Sequence, residues 1–272
     1  MDHGIHFISG LPRAGSTLLA AILRQNPRLH AGMTGPVGAL FGTLLREMSQ
    51  ANETAVFIDD DQRAAVLRAV FDACYHRIHP KKLVFDTNRN WCTRLPALAT
   101  LFPAAKVIAC VRDVPWILDS IERLVRRNRF EPSGMFRFEP NGTVYSRVET
   151  LGGGAGLVGF AWNALREACY GEQADRLLLL TYETLTSEPA RALAAVYDFI
   201  GMPPFAHDFA HVRYDEAREF DARLGTPGLH DVAPLVRATP RRSILPPDLF
   251  ARFEPDTFWR DPARVPAGLR VV

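Results

Sequence analysis

A glycine-containing segment near the N-terminus has the residue types and spacing of a phosphate-binding loop. It reads GLPRAGST, from Gly10 to Thr17, and it follows a strand-like apolar run and precedes a helical pattern, LLAAILRQ. Glycines at 10 and 15 let the backbone turn and approach an anion. The amides of Gly15, Ser16 and Thr17 lie at a helix start, where the helix dipole favours negative charge. The segment predicts binding of a phosphate-like anion, although an ordinary strand-to-helix turn is compatible with the same residues.

The loop lacks the lysine of the nucleoside triphosphatases. In those proteins the residue after the second glycine is a lysine that reaches the β and γ phosphates, whereas this chain has Ser16 there. The cation of the loop is Arg13 instead. An arginine at that point lies beside the bridging oxygen of a bound diester-like anion, where it can stabilise charge on a leaving group without a metal ion.

A second candidate anion site follows the apolar run KVIACV. Arg112 comes directly after that run, and Ser120 lies eight residues later on the apolar stripe of the next helix, which Asp113 can cap. Ligands bind at the carboxyl ends of strands in open α/β sheets, and a serine on this helix face should point at the same crevice. Arg112 and Ser120 could share one anion. An ion pair of Arg112 with Asp113, and a small residue that eases helix packing, are equally compatible with the sequence.

The elements that must position these residues alternate between strands and helices. Continuous apolar runs are typical of buried parallel strands, and helical spacing connects them. The strands are predicted at 5–9, 82–86, 106–111 and 177–181, and the helices after Gly15, after Pro36, after Asp59 to Asp61, over 95–102, from 114, over about 157–170 and from Ser187. Residues 128–155 lack clear periodicity and are a candidate substrate lid. The sequence predicts an α/β, P-loop-type three-layer fold with a mostly parallel central sheet and helices on both faces.

Composition narrows the class of protein. The chain has 272 residues, 47% of them hydrophobic, and a formal net charge of +2, which predicts one globular domain over residues 1–272 with an irregular C-terminal segment, 203–272, packed on it. This charge is too balanced for a nucleic acid or an anionic membrane as the main partner. No apolar stretch reaches the roughly 20 residues that a membrane helix needs. The four cysteines are scattered and indicate reduced core residues, so we expect a cytoplasmic protein.

With these motifs in this order, the sequence resembles the sulfotransferases that use 3′-phosphoadenosine 5′-phosphosulfate (PAPS). PRAGST is similar to the family's 5′-phosphosulfate loop, and VRD with a serine eight residues after the arginine is similar to its 3′-phosphate motif. The later LTYETLTSEP is similar to the family's YE-x-L segment. The resemblance covers roughly residues 5–200 and is nearest to tyrosylprotein sulfotransferase-like and related bacterial enzymes.

The resemblance implies an enzyme that moves a sulfuryl group from PAPS to an acceptor hydroxyl, needs no metal and releases adenosine 3′,5′-bisphosphate (PAP). It implies that the loop holds the 5′-phosphosulfate, with Arg13 as the catalytic cation. It also implies that a tail arginine, Arg241 or alternatively Arg237 or Arg242, closes over the 3′-phosphate. The donor-binding set that it implies is Pro12, Arg13, Ala14, Gly15, Ser16, Thr17, Arg112, Ser120, Tyr182 and Arg241. The acceptor (a small molecule, a glycan or a protein tyrosine) and the oligomeric state stay open.

The chain lacks the family's usual catalytic base, the residue that takes the acceptor's proton, at the expected positions. Tyrosylprotein enzymes carry a glutamate after the loop helix, where this chain offers only His30 and Thr34, and aryl-type enzymes carry a histidine where this chain reads DTNRNW. Asp86, at the end of a strand, is the candidate catalytic base, because a carboxylate whose pKa is raised by burial can accept a hydroxyl proton. Arg89 is a candidate substitute for the lysine that other members carry at the position of Thr87.

Two other functions stay open at this point. One is a kinase or other phosphotransferase that uses Mg-ATP, against which the missing loop lysine argues. The other is a nucleotide-binding domain without catalysis, which is favoured only by the uncertain base.

Overall fold

The computed structural model describes residues 4–78, 82–139 and 142–272, and a parallel sheet forms its centre. The strands are β1 (Ile5–Gly10), β2 (Leu29–Ala31), β3 (Leu83–Thr87), β4 (Val107–Val111), β5 (Leu177–Thr181) and β6 (Arg270–Val271). They lie in the order β2-β3-β1-β4-β5-β6, and all neighbouring strands are parallel. The predicted α/β class with a mostly parallel central sheet is confirmed.

Helices connect the strands and cover the sheet. They are α1 (Ser16–Leu23), α2 (Val37–Glu47), α3 (Asp60–Tyr75), α4 (Leu95–Leu101), α5 (Val114–Arg127), α6 (Val144–Gly152), α7 (Leu157–Tyr170), α8 (Tyr182–Ser187), α9 (Pro189–Ile200), α10 (Arg218–Arg223) and α11 (Pro247–Phe253). In the part of the chain that the structure describes, none of the helices is long and apolar enough to cross a membrane.

The central strands are buried on both faces. Every residue of β1 and of β4 is buried. Because successive side chains of a strand point to opposite faces, unbroken burial means that both faces of the sheet are covered. This arrangement explains why the strands appear in the sequence as continuous apolar runs rather than as alternating ones.

Aromatic side chains fill the layer beside β1. The ring of Phe7 lies 5.9 Å from that of Phe71 and 5.3 Å from that of Trp91, and Phe41 lies 5.5 Å from Trp91, with edge-to-face geometry in each pair. Such pairs each contribute about 0.5–1.5 kcal/mol beyond the burial of apolar area. Phe41 and Phe71 belong to α2 and α3, and Trp91 to the 3-10 helix Arg89–Arg94. The cluster thus holds in place the segment that follows β3.

Local signals set several helix starts. At the start of α3, the Asp59 carboxylate accepts from the Gln62 amide, and the Gln62 side chain accepts from the Asp59 amide, which is a capping box. Asp113 precedes α5 as predicted, but its carboxylate accepts from Arg260 Nε at 2.7 Å and caps no helix amide. The predicted helix from Ser187 begins instead at Pro189, because proline suits the first turn of a helix, and Ser187 ends α8.

The predicted lid segment, 128–155, contains a helix that its sequence pattern did not reveal. This helix is α6, and a capping box of Thr143 and Ser146 starts it. Residues 140 and 141 of the segment lie outside the described residues. Its Met135 lines the cavity described below.

The C-terminal segment 203–272 is mostly irregular, yet it joins the sheet and the core. Strand β6 pairs with β5 at the edge of the sheet, and Phe258 and Trp259 are buried. Among the cysteines, Cys92, Cys110 and Cys169 are buried, but Cys74 is exposed on α3 rather than part of the core.

Candidate active site

A cavity of about 590 Å³ opens at the carboxyl ends of the parallel strands. Gly10 at the end of β1, Thr87 at the end of β3, Arg112 after β4 and Tyr182 after β5 all line it. This edge is where open α/β sheets bind ligands, because the chain there diverges to leave a crevice. The structure therefore brings the two predicted anion-binding motifs to one place.

The loop between β1 and α1 requires glycine at two positions. Gly10 has a φ of 99°, and a Cβ at this residue would collide with the backbone of Cys110 on β4, so the loop follows its path only because residue 10 has no side chain. Gly15 has a φ of 96° and precedes α1 without a side chain that could cap it. The first amides of α1, at Ser16 and Thr17, are thus available to an anion from outside the helix.

Arg13 places a cation within the loop. Its φ of 57° is left-handed, a conformation that costs a residue with a Cβ about 1–2 kcal/mol. Its Nε donates to Ser120 Oγ at 3.1 Å. Burial, followed by repulsion from Arg112, lowers the pKa of Arg13 to about 10, so the guanidinium is still charged at neutral pH.

Arg112 carries a hydrogen-bond donor that lacks an acceptor. Its Nη1 donates to the carbonyl oxygen of Arg13 at 3.3 Å, and its guanidinium carbon lies 4.0 Å from the centre of the Tyr182 ring. Its Nε is buried and has no hydrogen-bond partner among the described residues. Burial lowers the pKa of Arg112. A buried charged group of this kind is stabilised by an anion, and the Arg112 residue lines the larger cavity.

Arg241 brings the C-terminal segment to the same end of the site. Its Nη2 lies 2.8 Å from Asp119 Oδ2, and its guanidinium carbon lies 5.7 Å from the centre of the Trp116 ring; both partners belong to α5. Arg241 lines a second cavity, of about 530 Å³, together with Arg13 and Ser120. The ion pair with Asp119 thereby holds Arg241 against α5, beside Ser120.

The two alternatives to Arg241 lie elsewhere. Arg237 lines the larger cavity. Arg242 contributes its backbone carbonyl, which accepts from Arg123 Nη2.

Asp86 does not face either of these cavities. It is 1% exposed, and its carboxylate accepts from the Tyr75 hydroxyl at 2.5 Å and from Trp91 Nε1 at 2.7 Å. Burial raises its pKa, and the two hydrogen bonds oppose that rise. Side chains alternate along a strand, so Thr87, the next residue of β3, lines the larger cavity instead. This placement corrects the expectation that Asp86 takes the acceptor's proton.

The other residues considered for this stretch divide into two groups. His30 lies in β2 with its ring 5.8 Å from that of Tyr75, outside the lining of the cavities. Thr34 and Arg89 do line the larger cavity. Burial lowers the pKa of Arg89, which adds a further partly desolvated cation to the site.

Sequence reasoning missed a histidine–aspartate pair in the C-terminal segment. His230 Nδ1 lies 2.6 Å from Asp221 Oδ1, and the His230 amide donates to Asp221 Oδ2 at 2.9 Å. His230 lines both cavities. The two residues are nine positions apart around an irregular turn, and no sequence motif marks such a pair.

The larger cavity also has apolar walls. They come from α5, the lid segment, α7 and the C-terminal segment, and the side chains are Ile121, Met135, Leu157, Phe220, Leu224, Leu229, Val232 and Leu235. The arrangement can bind a phosphorylated ligand at the loop and place an apolar group against these walls.

Comparison with known proteins gives one matching family. The model described as the sulfotransferase family matches residues 6–207. Protein-tyrosine sulfotransferase 1 of Danio rerio is 25% identical over 215 residues, which cover 74% of this chain and 54% of that protein. The chain thus spans about half the length of this curated relative.

Solved structures share the fold. The sulfotransferase domain from the curacin biosynthetic pathway has a TM-score of 0.51 at 18% identity, with 86% of this chain and 84% of that chain covered. A mouse sulfotransferase in complex with PAP has a TM-score of 0.51 at 14% identity, with 97% and 86% covered. At such identities the likeness concerns the fold alone.

Proposed function

The chain belongs to the sulfotransferase family, and we propose that it transfers a sulfuryl group from PAPS to an acceptor hydroxyl and releases PAP. The observation that carries this proposal is the buried Nε of Arg112, which has no partner among the described residues. Arg112 lines a cavity that Arg13 and Arg89 also line. Several partly desolvated guanidinium groups around one space are the chemistry that a polyanionic donor requires.

The donor's two charged ends have separate binding groups. The amides of Gly15, Ser16 and Thr17, with the flanking Pro12, Arg13 and Ala14, hold the 5′-phosphosulfate at the start of α1. Arg112, which lines the larger cavity, and Ser120, which lines the smaller one, hold the 3′-phosphate, and Arg241 closes over it from the C-terminal segment. Tyr182 supports the Arg112 guanidinium with its ring and lies beside the nucleotide.

Arg13 is the catalytic cation. When bound, PAPS supplies an activated sulfuryl group on an oxygen of its 5′-phosphate. Arg13 stabilises the negative charge that develops on this phosphate, because its guanidinium is charged and fixed within the loop. A fixed charge in a site with little water stabilises the transition state more than the same charge does in solution. Ser120 orients Arg13 through the hydrogen bond to its Nε.

The partners in this proposal are PAPS and a hydroxyl acceptor, without nucleic acid or membrane insertion. The reaction needs no metal, because the arginines supply the positive charge that Mg²⁺ supplies to a nucleoside triphosphate. The protein acts in the cytoplasm, and the four free cysteines support this location. Its motifs resemble those of bacterial members.

Residues 1–272 form one sulfotransferase domain in this proposal. The pairing of β6 with β5 supports it, because the C-terminal segment then completes the same sheet. Residues 128–155 act as the lid over the acceptor, and the position of Met135 at the cavity supports that role.

A thermal-shift comparison of PAP with Mg-ATP tests the choice of nucleotide. A ligand at about 100 times its dissociation constant adds about 2.7 kcal/mol of stability, which raises the melting temperature of a domain of this size by about 5 °C or more. We expect this rise with PAP and little change with Mg-ATP. A rise with Mg-ATP alone would favour a phosphotransferase, and no rise with either ligand would contradict nucleotide binding.

A further inference from the structure

The C-terminal segment supplies a histidine whose ring a buried carboxylate holds in place. After α10, turns at Gly225 and Gly228, with φ values of 66° and 85°, return the chain so that His230 meets Asp221. Asp221 is 2% exposed, and it binds both Nδ1 and the backbone amide of His230. Because a carboxylate oxygen accepts hydrogen bonds, Nδ1 carries the ring proton and Nε2 keeps its lone pair.

The ring lies where the two cavities meet. His230 lines both the larger and the smaller cavity, and Arg13 of the phosphate loop also lines both. No described residue forms a hydrogen bond with Nε2. The position therefore offers a proton acceptor in the same space as the loop cation.

The charged groups around His230 come from the elements packed about it. Asp221 on α10 contacts the ring, and Arg13 of the loop and Arg89 of the 3-10 helix act on it through space. Asp231 follows in the chain. Burial is the largest effect and lowers the pKa of His230, the two arginines lower it further, and Asp221 opposes them. The imidazole is therefore neutral at pH 7 and able to accept a proton.

Other acids of this region are less suited to the task. Asp86 lies outside the cavities, in hydrogen bonds with Tyr75 and Trp91. Asp231 lines both cavities, but its side chain is 73% exposed and lies 3.9 Å from Arg127 Nη1. Its carboxylate is therefore solvated and close to an arginine, which leaves it less available to an acceptor's proton.

We propose that His230 is the general base of the transfer and that Asp221 is its positioning residue; this rests on the proposed sulfotransferase function. Nε2 takes the proton of the acceptor hydroxyl as the acceptor oxygen forms a bond to sulfur. The bond between sulfur and the bridging oxygen breaks, and its electron pair leaves with the 5′-phosphate of PAP. The products are a sulfate ester, PAP and a proton on His230, which solvent then removes.

The test compares five forms of the full chain: wild type, His230→Gln, His230→Ala, Asp221→Asn and His211→Gln. His211 is a matched control, because it also pairs with an aspartate, Asp208, at 2.8 Å, but its side chain is 74% exposed and lies outside the cavities. Sulfur-labelled PAPS is incubated with a phenol, a long-chain primary alcohol, an oligosaccharide and a tyrosine peptide. Calorimetry measures the PAP affinity of each form.

We expect His230→Gln to lower the transfer rate by about 100-fold or more while PAP affinity stays unchanged and His211→Gln acts like wild type. Chemical rescue gives a second measurement. Free imidazole added to His230→Ala should replace the missing side chain as the base and restore part of the transfer rate. In wild type the rate falls in acid as His230 is protonated, at a lower pH than for a free imidazole, because burial lowers the pKa of His230. Asp221→Asn shifts this fall to lower pH, because the carboxylate raises the pKa of His230.

The outcomes separate this inference from the proposed function. Transfer at the wild-type rate by His230→Gln would overturn the role of His230 and leave the sulfotransferase proposal intact. Failure of imidazole rescue, with an unchanged pH profile in Asp221→Asn, would show that the pair is only structural and would also overturn that role. PAP binding without transfer by wild type to any of the four acceptors would overturn both proposals in favour of a nucleotide-binding domain without catalysis.

Discussion

Replacing Arg112 with alanine tests directly how the 3′-phosphate of the donor is held. Among the residues that the structure describes, Arg112 makes one hydrogen bond, to the Arg13 carbonyl, and stacks on Tyr182, while its Nε is buried and has no partner there. A phosphate at this position satisfies Nε with a charge-assisted hydrogen bond, which contributes about 1.5–3 kcal/mol. Since about 1.4 kcal/mol is a tenfold change in affinity, Arg112→Ala should weaken PAP binding about 10- to 100-fold.

The assay measures this loss with two ligands. Calorimetry gives the dissociation constants of PAP and of adenosine 5′-monophosphate, which lacks the 3′-phosphate, for wild type and Arg112→Ala. Such a cycle isolates the coupling between the arginine and the phosphate from any general damage. Wild type should prefer PAP, and Arg112→Ala should bind the two ligands almost equally.

Arg166→Ala is the matched control, because Arg166 stacks on Trp162 at 4.6 Å but is exposed on α7, outside the lining of the cavities. It should leave both affinities as in wild type. Equal weakening of both ligands by Arg112→Ala would refute the assignment of the 3′-phosphate to Arg112. Unchanged affinity for both would remove Arg112 from the donor site.

Three further predictions concern catalysis and stability. Arg13→Ala should lower the turnover rate about 100- to 1000-fold through lost charge stabilisation, with Arg13→Lys retaining part of it; wild-type turnover in the alanine variant would contradict the role of Arg13. Asp86→Asn should leave transfer unchanged but destabilise the fold by about 1–3 kcal/mol, because the amide hydrogens of the asparagine would face the donors Tyr75 and Trp91. Urea unfolding measures this loss of stability. Lost transfer in a folded variant would restore Asp86 as the base. Burial lowers the pKa of His6 to about 4, so between about pH 6.5 and pH 4 the unfolded chain binds a proton that the folded chain does not. As the pH falls through this range, His6 should therefore lower the free energy of unfolding by up to about 3 kcal/mol. Unfolding midpoints at several pH values in wild type and His6→Asn check it, and equal pH dependence in both would contradict it.

The sequence was informative where a local pattern is sufficient. The phosphate loop, β4 and β5 depend on runs of a few residues whose apolar character follows from burial on both faces. The glycine positions follow from backbone geometry, and the structure places positive φ at both Gly10 and Gly15. These parts of the fold could therefore be predicted, whereas the hydrogen bond of Arg13 to Ser120 was not, because the sequence paired Ser120 with Arg112.

Asp86 could not be placed correctly because a continuous apolar run does not reveal side-chain direction. When both faces of a strand are buried, the hydrophobic pattern is the same whichever face a given residue occupies. In β3 the cavity side belongs to Thr87, and Asp86 points to the aromatic layer that contains Trp91. Only the structure distinguishes these two neighbours.

The other features that sequence reasoning missed depend on short or irregular segments. Helix α6 is nine residues long, which is too short for the 3.6-residue hydrophobic repeat of a helix to be recognised in the sequence. Turns after α10 bring His230 to Asp221. No regular residue spacing in the sequence predicts a contact that irregular turns form. His230 lies in one of these irregular segments, so the sequence alone left the base open.

The most direct test of the central proposal is to follow PAPS during turnover. The protein is incubated with PAPS and the acceptor panel in excess EDTA, and chromatography with mass spectrometry follows PAP and the acceptor. The account predicts equal amounts of PAP and of acceptor carrying a sulfuryl group, both strongly reduced in Arg13→Ala. PAPS that stays intact with every acceptor, together with a phosphorylated acceptor when Mg-ATP replaces PAPS, would contradict it.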